Sequence, residues 1–293
     1  MLGQGCQSED LKDQVQKQWN RYAPSYQQRV GYSLTPELKQ AWKKELDEAT
    51  DGKSDLSVLD IGTGPGFLAM LFEELGHDCL GIDFSFEMIR AARQEAEKNQ
   101  SQCRFAQADA ELLPFKNDSF DIVTNRHVIW TLTEPQKSMN EWVRVLKPGG
   151  RIIIFEGNWV EAHLSKTDRM KKTIGEMIIR RKKAKDKRII AKISQFNEIK
   201  QRLPMRSLTK EKVADLMKVA GISQVNFQDI SNLIKAEIKA RPLEYQLTYN
   251  KNRFLVVGQK EPEDLLAKSN EGKGIFGDGE RKSIDCTVDN RPL

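Results

Sequence analysis

From residue 57 onward the chain repeats one pattern: a short apolar run, then a stretch whose apolar positions fall three and four apart. The runs at 57–61, 79–83, 104–108, 122–125 and 151–156 are expected strands, bounded by Gly, Asp and Pro. The stretches 68–75, 86–98 and 136–145 are expected helices; in the second, Met88, Ile89, Ala92 and Ala96 keep one face apolar. Strand–helix alternation builds a parallel sheet with crossover helices, so the fold class is α/β, Rossmann-like and doubly wound.

The flanks differ from this pattern. Residues 8–50 read as helical, and Thr35, Pro36 and Glu37 make a helix start with a capping hydroxyl, Pro in the first turn and an acid at the positive end of the dipole. After residue 157 the alternation stops for about fifty residues, and 158–208 carries two helical patterns. These are Met170, Ile174, Met177, Ile178, then Ile189, Ile190, Ile193, Phe196. A helix at 209–220, a strand near 225–230 and a last strand at 254–257 complete the alternation. The expected organisation is a helical cap over 1–50 and one α/β domain over 51–260, with 158–208 inserted as a substrate lid. Residues 261–293 are poor in apolar side chains and rich in Gly, so a disordered tail is expected there.

Composition narrows the class. The 293 residues carry 47 basic and 42 acidic side chains, a net +5 that decides nothing alone. Resolved by region it says more: residues 161–210 hold 16 basic against 5 acidic residues, a net +11 that leaves −6 for the rest. No apolar run approaches the ~18 residues of a membrane-spanning helix. The first sixteen residues lack a signal-peptide core, and Cys6, Cys79, Cys103 and Cys286 are too scattered for a disulfide framework or a zinc site. A soluble cytoplasmic protein without a metal is expected.

The segment Val58-Leu59-Asp60-Ile61-Gly62-Thr63-Gly64-Pro65-Gly66 carries the chemistry. A buried strand runs into glycines spaced by two and then into a helix, so backbone and helix amides can approach a ligand closely. A dinucleotide fingerprint would place its third glycine at 67, where this chain has Phe67. Asp60 before the loop, Asp83 at the end of the second strand and Asp109-Ala110 after the third put acids at three successive strand ends. That set suits a ligand with ribose, adenine and positive charge. Asp83 and Asp109 each have a plainer reading, as a helix cap and a turn residue; Ser85 is the better cap.

The sequence resembles the class I S-adenosylmethionine-dependent methyltransferases, in particular the small-molecule and quinone-type branch. The resemblance rests on five motifs in order: VLDIGTGPG (58–66), GIDFSFEMI (81–89), FAQADAELLPF (105–115), FDIVTNRHVIWTL (120–132) and RVLKPGGRIIIFE (144–156). It covers residues 15–160 well and 209–258 loosely. It implies a seven-stranded sheet with an antiparallel last strand and S-adenosyl-L-methionine over the first strands. It further implies Asp83 on the ribose, Asp109 and Ala110 on the adenine, and Gly62, Thr63, Gly64 and Gly66 along the methionine moiety, with Phe84 and Met88 alongside. Trp19, Ala23 and Tyr26 match a segment that closes over the cofactor.

Asn125, Arg126 and His127, after the fourth strand, lie where cofactor and acceptor should meet. Asn125 is therefore a cofactor candidate, and His127 a candidate base or substrate orienter. Glu156 at the end of the fifth strand either orients substrate or is simply solvated. The expected function is methyl transfer to a small-molecule acceptor by in-line displacement, in which positioning is the enzyme's main task. The alternatives are a nucleic-acid methyltransferase using the basic run 180–188, and a non-catalytic cofactor-binding module. An Asn/Asp-Pro-Pro-Tyr-type motif is absent after the fourth strand, which counts against the first alternative.

Overall fold

A computed structural model of the chain describes residues 3–30, 34–158, 165–183, 198–205, 207–249 and 251–262. The second helical pattern of the insertion, the basic run beyond 183 and nearly all of the expected tail lie outside these residues.

Two helices come first, α1 (Gly3–Val30) and α2 (Pro36–Ala49), the latter capped by Thr35 accepting from Leu38 N at 3.3 Å. Then β1 (Ser57–Ile61), α3 (Phe67–Glu73), β2 (Asp78–Asp83), α4 (Phe86–Lys98) and β3 (Arg104–Gln107) follow in alternation. Next come β4 (Phe120–Arg126), a 3-10 turn at Ile129–Thr131, α5 (Pro135–Val145) and β5 (Leu146–Gly157). The last elements are α6 (Lys166–Lys183), α7 (Lys210–Val219), β6 (Gln224–Gln228), α8 (Ser231–Lys239), α9 (Leu243–Leu247) and β7 (Arg253–Gln259).

The strands form one sheet in the order β3-β2-β1-β4-β5-β7-β6, with β7 antiparallel to both neighbours and the other pairs of successive strands parallel. The expected seven strands and antiparallel last strand are therefore present. The central strands are apolar on both faces because helices cover both. Val58, Ile153 and Phe155 pack beneath α2, α3 and α4, whereas Leu59, Ile61, Ile152 and Ile154 pack beneath α5 and α7. Strand β5 begins at Leu146, earlier than expected, with a register shift against β4 near Phe120. Cap chemistry fixes other starts: Ser85 accepts from Met88 N at 3.2 Å and Thr209 from Lys212 N at 3.3 Å.

Strand order reverses between β1 and β4, and in open α/β sheets that reversal opens a crevice at the carboxyl ends. Helix α1 lies across it. Leu11 and Val15 of α1 join Trp130, Ile199 and Leu203 in a separate apolar cluster, with Trp19 packed against it.

Candidate functional site

At that crevice is a cavity, opening where the ligands of open α/β sheets bind. The glycine loop contributes Gly62 and Gly64, β2 and its following turn contribute Asp83, Phe84 and Ser85, and α4 contributes Met88. Asp109 and Ala110 come from the turn after β3, Arg126 and His127 from the end of β4, and Tyr26 and Trp19 from α1. Gly62 sits at φ +64, and a Cβ there would collide with the Val128 side chain, so a glycine is required for the chain to turn.

Asp83 is half-buried, with its carboxyl in the cavity wall. It accepts from Ser85 N at 2.8 Å and Gly64 N at 3.0 Å, one bond to each oxygen. Loss of solvent pushes its pKa up to about 6 although both amides favour the charged form. Its remaining lone pairs are what a ribose would use. Asp109 accepts from Glu111 N at 2.9 Å and is ion-paired with Lys12 of α1. The Lys12 ammonium also meets Glu111 at 2.9 Å. Against a burial that lowers it, those two acids hold the Lys12 pKa above its ordinary value. Two further contacts fasten α1 to this turn: Gln16 Nε2 donates to Phe84 O at 2.8 Å, and Ser85 Oγ donates to Asn20 Oδ1 at 2.7 Å.

Other expected site residues are placed differently. Asp60 is buried and accepts from Thr63 Oγ1 at 2.6 Å and Ala69 N at 3.2 Å, so it ties the glycine loop to α3. Burial pushes its pKa up to about 7 despite those donors. Asp60 and Thr63 line a small space beside the main cavity, with Gly64, Tyr26 and Arg126. Gly66 begins α3, against the Phe105 ring. Asn125 is fully buried on β4, in register with Ile61 and Ile154, and is not among the residues that line the cavity. Neither of its side-chain polar atoms has a hydrogen-bond partner among the described residues.

His127 lines the cavity with its backbone in the left-handed region at φ +63, and its N–H donates to Phe155 O at 2.9 Å. Burial, then the charges of Arg253, Arg126 and Arg241, pull its pKa well below the usual value, so the imidazole is neutral near pH 7. Its Nδ1 lies 3.5 Å from Glu156 Oε2. Glu156 is not solvated: it is 1% exposed and accepts from Ile129 N at 2.8 Å and Gly157 N at 3.2 Å. Burial pushes its carboxyl up to about 8. Behind His127 a small void is walled by Trp42, Phe155, Glu156, Glu237 and Arg253. Lys12, Gln16 and Glu111 gave no sign in the sequence, because their contacts join positions far apart in the chain; the Lys12 and Asp109 pairing is visible only in the fold.

A reversed-order sheet with strand-end acids facing one cavity is a Rossmann-like arrangement, in which ligands bind at that crevice. Residues 59–154 match a family model described as a methyltransferase domain. Over 105 residues the chain is 39% identical to the uncharacterized methyltransferase YcgJ of Bacillus subtilis, covering 36% of this chain and 42% of that protein. It is 35% identical over 117 residues to demethylmenaquinone methyltransferase of Thermus thermophilus, covering 39% and 53%. The chain thus spans about half the length of the curated relatives it matches. The fold also superposes on the cyclase SpnF with a TM-score of 0.55 at 16% identity, over 85% of this chain and 95% of that one. Over residues 59–154, about a third of its length, the chain is similar to that methyltransferase domain family, whose resemblance implies S-adenosylmethionine as the cofactor. The residues present fit that cofactor: a glycine loop that exposes backbone, and carboxylates in the cavity wall after β2 and β3, the second of them paired with Lys12.

Proposed function

We propose that this protein transfers the methyl group of S-adenosylmethionine to a small, largely apolar acceptor in the cavity beneath α1. The observation that carries the reading is that one cavity meets the glycine loop, Asp83, Asp109 and the end of β4 together. When bound, S-adenosylmethionine supplies a methyl carbon already activated by its sulfonium. Asp83 would accept hydrogen bonds from the ribose hydroxyls, and Asp109 from the adenine amine once Lys12 yields. Gly62 and Gly64 would offer backbone to the methionyl portion, and Phe84, Met88, Tyr26 and Trp19 would wall the site around it. Holding the acceptor in line and excluding water is the protein's main contribution.

His127 is the side chain best placed to touch the acceptor. A neutral imidazole keeps a lone pair near pH 7, yet its strongly lowered pKa makes it a weak base, so it suits orientation by hydrogen bond better than proton removal. A small acceptor is supported by α1, which lies across the crevice a polymer would have to enter. Val15, Trp19, Ile61 and Val128 make much of the wall apolar, and the demethylmenaquinone named for one relative agrees with that character. On this reading 51–260 is the transfer domain and 1–50 its cap.

The test is transfer of labelled methyl from S-adenosylmethionine into a cell extract by the purified protein, with products split by size and by nuclease or protease sensitivity. Label in the small, resistant fraction is expected. Label in a nuclease-sensitive polymer would overturn the acceptor class. Cofactor binding with no label in any fraction would overturn transfer itself.

A further inference from the structure

Helix α6 holds eight basic residues against two acidic ones, and three of its five large apolar side chains are turned outward. Met170 is 60% exposed, Ile174 45% and Met177 59%, at the i, i+4, i+7 spacing that forms one continuous stripe. The opposite face is the packed one. A Cβ at Gly175 would lie 2.8 Å from Glu244 O and from Thr248 Cγ2, so α6 crosses α9 closely there. By helical period Lys166 and Arg169 fall on one side of the stripe, Lys171 on the other, and Arg181 one turn beyond Met177; all four are exposed.

We propose that α6 docks on an anionic lipid surface, with Met170, Ile174 and Met177 entering the boundary between headgroups and acyl chains. The flanking Lys and Arg side chains then lie over the headgroup charges. An apolar stripe bordered by cations on a helix of low overall hydrophobicity is the pattern of a helix that lies in an interface. Among the described residues no helix is long and apolar enough to cross a membrane, so the contact is peripheral. Charge selects this occupant over two others. A second copy pairing stripe to stripe would bring two sets of cations together, at a cost. A nucleic acid would attract the cations but has no use for Met and Ile at the centre, and α6 carries no aromatic side chain on which a base could stack. The surface also has a useful position. Helix α9 leads into Arg253, which pairs with Gly157 at the carboxyl end of β5, so α6 rests near the same sheet edge as the cavity.

The experiment is sedimentation of the full-length protein with vesicles of phosphatidylcholine alone and with vesicles also containing phosphatidylglycerol. Binding only to the anionic vesicles is expected, weakening steeply as salt is raised. The triple variant Met170→Ser, Ile174→Ser, Met177→Ser should bind them at least about 10-fold more weakly, since three apolar side chains no longer enter. Lys166→Gln with Lys171→Gln should weaken binding by about 30-fold, at roughly five-fold for each cation near the surface. All five positions are exposed, so unchanged thermal melts should accompany both losses. Failure of the parent protein to bind anionic vesicles would overturn the proposal. So would parent-like binding by the triple Ser variant, or binding of a structured RNA at the same salt with no binding to vesicles.

Discussion

At one edge of the sheet, the acids that follow β2 and β3 face a cavity, whereas Glu156 at the end of β5 and Glu237 on α8 are each shut in at 1% exposure. The donors they meet are of similar kinds. Asp83 takes two backbone amides and so does Glu156; Asp109 meets an ammonium, and Glu237 meets the Arg253 guanidinium at 3.0 Å. The lesson is that partner type does not separate a cavity-facing carboxylate from an enclosed one. What separates them is whether a second face of the carboxyl opens onto space a ligand can occupy. Glu156 holds the turn after β4 to the end of β5 and thereby sets the backbone on which His127 sits.

The comparison breaks most visibly at Glu237. Its Oε2 accepts from Arg253 and from the Tyr249 hydroxyl, and the Arg253 side chain is only 13% exposed. Removing one partner of a buried pair leaves the other charged and desolvated. Glu237→Ala should therefore cost about 3 kcal/mol of folding stability in a denaturant melt. Cofactor affinity of the molecules still folded should not change. A melt indistinguishable from the parent would show that this acid is not structural.

Asp83 should behave in the opposite way. Asp83→Ala should weaken S-adenosylmethionine binding about 100-fold by calorimetry, at the upper end for hydrogen bonds to a charged group, while the melting temperature moves little. The pH sign follows from its raised pKa. Above about pH 6 the carboxyl is ionised and accepts fully; as pH falls through 6 it protonates and affinity drops. Asp83→Asn should flatten that fall. Parent-like affinity in Asp83→Ala would remove the ribose assignment.

Much of the cavity-facing side was legible before any fold was known. Parallel strands covered on both faces read as continuous apolar runs, and the caps at Thr35, Ser85 and Thr209 mark helix starts, so β1 through α5 emerged nearly in place. The closed side was less legible. Helices α8 and α9 were not expected, because each is short and Glu237 and Glu244, both buried, interrupt their apolar faces. A polar residue at a strand end such as Asn125 reads as functional, and only the fold shows how deeply it is enclosed. Local pattern reports periodicity and turns; it does not report which distant charge will close over a carboxylate.

The finest test of the contrast lies at Lys12, where a cavity-facing carboxylate is ion-paired as an enclosed one is. The Lys12 ammonium is ion-paired with Asp109 and meets Glu111 at 2.9 Å, and its side chain is 23% exposed. Glu111 has other partners: Thr133 Oγ1 and the backbone N–H of Thr133 donate to it at 2.8 Å, and Glu134 N at 3.1 Å. Asp109 is the acid that a ligand's amine would contest. If so, Lys12 competes with the adenine, and Lys12→Met, which keeps the length and loses the charge, should tighten cofactor binding by about three- to five-fold. That corresponds to roughly 1 kcal/mol, the upper value for a partly exposed ion pair that no longer has to be broken. The gain should shrink as salt screens the pair in the parent. Weaker binding in Lys12→Met would mean that Lys12 holds the cofactor side of the cavity shut around its ligand, and the competition would be refuted.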